Sequence, residues 1–170
     1  MPYPIEHKLV IAISSSAVFD MEKANDVFVK KGEAAYRQYQ SENVDEPFEK
    51  GVAYPFINRL LNLNTIFEKE MPIEVIVLSK NDPDTGLRFF KSCKHYGLNI
   101  IRGAFLNGKE PHHYIEASNA SLFLSANESD GHEANKLGLP AGLVSPTKAK
   151  DEAQTSELRI ASDYDSILAD

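Results

Sequence analysis

Ile73-Glu74-Val75-Ile76-Val77-Leu78 is an apolar run carrying one charge, set between Pro72 and the polar group Ser79-Lys80-Asn81-Asp82-Pro83. A short apolar run bounded by turn residues reads as a strand buried on both faces. Residues 84–96 follow as a helix, with Phe89, Phe90, Cys93 and Tyr96 on its apolar face and Gly97 to end it. Leu98 to Ile101 then reads as a second strand. Strand, helix and strand in that order imply a parallel pair with its crossover.

The same rhythm extends both ways from this unit. Downstream, the pattern predicts a helix over 111–118, a strand over 121–124, a helix over 128–137 stopped by Gly138, and a strand over 141–144. Upstream, Lys8-Leu9-Val10-Ile11-Ala12-Ile13 is another buried strand, ahead of Ser14-Ser15-Ser16. Met21, Ala24, Val27 and Phe28 fall at helical spacing between Asp20 and Gln40, with Gly32 as a break. Residues 41–53 read as a connection, and Pro55 opens a helix offering Phe56, Leu60, Leu61 and Leu63 to a core. The expectation is an α/β, three-layer, Rossmann-like parallel sheet. Ligands of such sheets lie at the carboxyl ends of the strands, which directs attention to residues 14–16, 79–81, 103 and 125–127.

Composition narrows the class. The 170 residues include 42% hydrophobic and 25% charged side chains with a net charge of −7, which argues against non-specific nucleic-acid binding. The single cysteine, Cys93, excludes an internal disulfide and fits a reducing, cytoplasmic setting. The uncharged stretch from Leu9 to Phe19 is too short to span a bilayer, so no membrane association is expected. His112 and His113 are adjacent, and His95 and His132 have no partner at ligand spacing, so no zinc site is assigned.

The polar residues 147–156 read as a linker, and 157–170 as a strand entering an acidic loop. This last segment echoes the first strand: Ser14 falls on Asp163 and Ser16 on Asp165, about one domain apart. The echo suggests that residues 1–146 form one domain and that a second unit of the same type opens at 157 and is cut off. Asp163-Tyr164-Asp165 offers two carboxylates suited to Mg²⁺, and to attack and proton transfer at a phosphoryl group; a solvated acidic turn is the alternative. Ser79 with Asn81 reads either as a phosphate donor at a helix start or as part of that helix's cap. Lys109, in Gly108-Lys109-Glu110-Pro111, reads as a phosphate counter-charge or as a solvent-facing loop lysine.

Taken together, Val77-Leu78-Ser79-Lys80-Asn81, Gly108-Lys109-Glu110-Pro111 and the strand and helix after Ser121 resemble the haloacid-dehalogenase-like phosphotransferases. The resemblance places the nucleophile position of this unit on Ser14 and its partner on Ser16. It places the phosphate-binding hydroxyl on Ser79, the lysine on Lys109, and the two last acidic positions on Ala126 and Asp130. The first unit therefore looks like a degenerate copy, with residues 20–70 where the superfamily inserts a small helical cap. A closer resemblance covers nearly the whole chain. Leu9 to Ser15, Val77 to Arg88, Leu122 to Asn127 and Leu158 to Asp165 look like the cytosolic type I 5′-nucleotidases.

That resemblance implies hydrolysis of nucleoside 5′-monophosphates to nucleoside and phosphate with Mg²⁺. Asp163 would be nucleophile, Asp165 acid/base, both metal ligands, and Ser79, Asn81 and Lys109 would contact phosphate. Tyr164 stands where the family usually has Gly. The alternative is a catalytically degenerate module that binds a nucleotide or forms a homo-oligomer.

Overall fold

The computed structural model describes residues 7–147 and 157–161. Five short apolar segments pair into one all-parallel sheet: β1 Leu9–Ile13, β4 Ile73–Ser79, β5 Arg102–Phe105, β6 Ala120–Ser125 and β7 Ala141–Leu143. Their order across the sheet is β5-β4-β1-β6-β7, with β1 at the centre. Side chains alternate between faces, so each strand feeds two cores. Ile11, Ile13, Val75 and Val77 face one core with Ile57 of α3 (Tyr54–Asn62) and Phe89 of α4 (Pro83–Tyr96). Val10, Ala12, Ile76, Leu78 and Phe123 face the other, with Ile115 of α5 (His112–Ala117) and Ala134 of α6 (Glu128–Lys136). Burial on both sides is why β1 and β4 read as continuous apolar runs. The α/β Rossmann-like expectation is met.

α4 is bounded as its sequence dictates. The Asp82 side chain accepts from Thr85 N–H at 2.8 Å, Pro83 occupies the first turn, and Gly97 closes the helix at φ 70°. Between β1 and α3 lie a short α1 (Ser15–Val18) and a two-residue ribbon of β2 (Phe19–Asp20) with β3 (Glu49–Lys50). α2 (Glu22–Glu42) is broken at Gly32, whose φ of 81° and ψ of 178° form a conformation almost confined to glycine. The break foreseen at Gly32 is therefore real.

Two differences from the sequence expectation have physical causes. The strand expected over 98–101 is displaced to Arg102–Phe105. Leu98 and Ile100 are buried against the first core, yet the ladder begins only where Arg102 sits opposite Ile76. An apolar run marks burial, and here burial precedes pairing. The connection over 41–53 also contains β3, whose two exposed residues are too few to show a period. At the far end, Leu158 packs against the first core, and no ladder pairs residues 157–161 among the described residues.

Candidate functional site

Three strand ends converge at the carboxyl edge of the sheet, and each carries serine. Ser14 and Ser15 follow β1, Ser79 ends β4 and Ser125 ends β6; all four are buried. The Ser15 and Ser79 hydroxyls are 2.8 Å apart, and Asn81 Nδ2 donates to Ser15 Oγ at 3.1 Å. Ser79 Oγ accepts from Asn81 N–H and Ser125 Oγ from Asn127 N–H, both at 3.1 Å, so two Ser-x-Asn segments make the same turn. Each leads into a helix, capped by Asp82 in one case and Asn127 in the other. Capping thus falls on Asp82 and leaves the Asn81 side chain to the crevice.

Lys80 supplies the crevice with its buried-side positive charge. Its Nζ lies 2.7 Å from Asp130 and 2.8 Å from Glu110. Asp130 is 6% exposed and also accepts from Ser125 Oγ at 3.0 Å. Burial works to lower the pKa of the Lys80 ammonium, but its hydrogen bonds to Asp130 and Glu110 outweigh it and the net shift is upward. The ammonium is therefore charged across the physiological range.

The expected residues separate into three groups. Ser79 and Asn81 are brought together around Ser15. Lys109 is exposed on the loop after β5, although that loop's backbone folds over residues 80 and 81 through Gly108 N–H to Lys80 O at 2.6 Å and Asn107 N–H to Asn81 O at 3.0 Å. Asp163 and Asp165 lie outside the described residues. Of the positions aligned by resemblance, Ser14 and Ala126 do meet, with Ala126 N–H donating to Ser14 Oγ at 3.1 Å; Ser16 is exposed. Lys80, Ser15 and Ser125 were not singled out as binding residues. The available signal was the repeated Ser-x-Asn at two strand ends.

A divalent cation does not fit the described crevice. Among the described residues no three His, Cys, Asp or Glu gather to hold a metal, and Asp130 and Glu110 already converge on an ammonium.

Sheet order and the strand-end hydroxyls define a Rossmann-like α/β unit. A family model described as 5′-nucleotidase matches residues 1–170, and the chain belongs to that family. It is similar to human cytosolic 5′-nucleotidase 1B, 30% identical over 175 residues; the match covers 98% of this chain and 28% of the relative. The chain thus spans under a third of that relative's length. No solved structure matches. Among the described residues no helix is long and apolar enough to cross a membrane.

Proposed function

We propose that this chain is part of an enzyme that hydrolyses nucleoside 5′-monophosphates to nucleoside and phosphate. The observation that carries the reading is the 5′-nucleotidase family match along the whole chain. In this reading residues 1–146 are a degenerate first unit, with 20–70 as its cap-like insertion, 147–156 are a linker, and 157–170 open the catalytic unit. Asp163 Oδ attacks phosphorus while the bond to the ribose O5′ breaks, and Asp165 gives that oxygen its proton. Water then attacks the aspartyl-phosphate, Asp165 takes a proton back, and phosphate leaves. Mg²⁺ would be held by the Asp163 and Asp165 carboxylates, as hard oxygen donors, and would offset charge on the phosphoryl group. Ser79 and Asn81 stay in the first unit, and the exposed Lys109 is free to approach a phosphate. A cytoplasmic setting fits the one buried thiol.

The alternative is a catalytically degenerate module that binds a nucleotide or forms a homo-oligomer. Phosphate release from AMP, IMP and CMP with Mg²⁺ separates the two. Turnover that falls by about three orders of magnitude or more in Asp163→Asn supports hydrolysis at Asp163. Saturable AMP binding without turnover supports the binding module instead.

A further inference from the structure

The loop after β5 carries a reactive pair of residues. Lys109 N–H donates to Leu106 O at 3.2 Å and closes a turn whose central residues, Asn107 and Gly108, have φ of 49° and 85°. Left-handed backbone at both positions is what selects Asn-Gly in such turns. The pair occurs once in the sequence, and both residues are exposed. Asn-Gly is also the pair in which an asparagine side chain most readily reacts with its own backbone, because glycine has no Cβ to shield the attacking nitrogen.

We propose that Asn107 is a site of spontaneous covalent modification, converted to aspartate and isoaspartate, and that the isoaspartate form opens the roof of the Ser15–Ser79–Asn81 crevice. The Gly108 nitrogen attacks Asn107 Cγ. A bond from that nitrogen to Cγ forms, the bond from Cγ to Nδ2 breaks, and Nδ2 leaves as ammonia with the proton given up by the Gly108 amide. Water then opens the succinimide ring. Opening at Cγ yields aspartate, and opening at the Asn107 main-chain carbonyl carbon yields isoaspartate. The balance is one amide and one water to one carboxylic acid and one ammonia.

The surroundings of Asn107 govern this step and its outcome. Arg37 Nη2 donates to Asn107 Oδ1 at 3.2 Å, which draws electron density from Cγ and holds the side chain by its oxygen rather than by the leaving nitrogen. Gly108 N–H is held by Lys80 O at 2.6 Å, so attack waits for the loop to open. That bond and Asn107 N–H to Asn81 O at 3.0 Å are the roof over the crevice. Aspartate keeps the original backbone, suits the same turn and meets Arg37 as an ion pair. Isoaspartate runs the chain through the former side chain and lengthens it by a methylene, so the turn no longer presents both N–H groups to residues 80 and 81. None of this depends on hydrolysis at Asp163.

The test is incubation of the folded 170-residue chain near neutral pH in heavy-oxygen water, then tryptic digestion in ordinary water and mass spectrometry. The Gly103–Lys109 peptide should gain the mass of an amide-to-acid exchange with heavy oxygen, in two chromatographic forms. The Glu110–Lys136 peptide, which carries Asn119, Asn127 and Asn135, should stay unchanged. In the isoaspartate form, isolated by chromatography, hydrogen-exchange protection of the residue 107 and Gly108 amides should fall about tenfold, as loss of a hydrogen bond requires. Asn107→Asp should keep the wild-type protection. An unlabelled Gly103–Lys109 peptide, or equal labelling of Glu110–Lys136, overturns the modification site. Unchanged protection in the isoaspartate form, or an equal loss in Asn107→Asp, overturns the opening of the roof.

Discussion

Among the described residues Asp130 pairs with a single cation. Lys80 holds it at 2.7 Å, and at 6% exposure the carboxylate has little water to fall back on. Lys80→Met is expected to cost about 3 kcal/mol at neutral pH, because it strands a buried charge. The cost should appear as a lower urea midpoint for the variant than for wild type at pH 7. Asp130→Asn in the Lys80→Met background should recover part of the loss at pH 7. Ser79 and Asn81 were legible because they directly follow an obvious strand. Lys80 was not, since its meaning comes from Asp130, on another helix and beyond two further strands. The serine echo of Asp163 and Asp165 was visible from local pattern alone.

Among the elements, α4 shows how a distinctive stretch can be structural. Asp82 caps it, and the Thr85 hydroxyl lies 2.7 Å from the Tyr36 hydroxyl on α2. Arg88 reaches Gln40, also on α2, and Gly86 lies flat against Phe105 of β5. Gly→Ala inside a helix usually stabilises by about 1 kcal/mol. At Gly86 the added Cβ would stand 2.7 Å from Phe105 Cδ2, ring carbon rather than a flexible tip. Gly86→Ala is therefore expected to destabilise by about 1–3 kcal/mol, read as a lowered urea midpoint at unchanged slope. Gly86→Ala with Phe105→Leu should regain part of it. Helix positions were legible because caps and Gly97 act locally. β5 was displaced because pairing depends on β4, which a linear run of apolar residues cannot report.

Across the molecule, two buried acids of the neutral type set an alkaline limit. Burial pushes the Cys93 thiol up to about 12 from an ordinary value near 9, and burial raises the Tyr36 hydroxyl against the hydrogen bond it shares with Thr85. Their unfolded forms ionise first. The stability they contribute is thus complete below about pH 9 and is lost as pH climbs from there toward 12. Chemical denaturation across this range should show stability falling by up to about 1.4 kcal/mol per pH unit from the thiol. Cys93→Ala should flatten that slope while lowering stability at pH 7 through the cavity it leaves.

The central position of β1 has a consequence for synthesis. Ile13 pairs with Val77 on one side and Leu124 on the other, so both neighbours of this strand are made long after it. At ordinary elongation rates of about 5–20 residues per second, β1 waits several seconds for β4 and on the order of ten for β6. Throughout that interval its apolar residues and both of its ladder edges face the ribosome exit and the cell interior, where holding chaperones bind such segments. A ribosome stalled before residue 125 would carry a sheet open at its middle, and nascent-chain proteolysis should find β1 accessible until β6 has emerged.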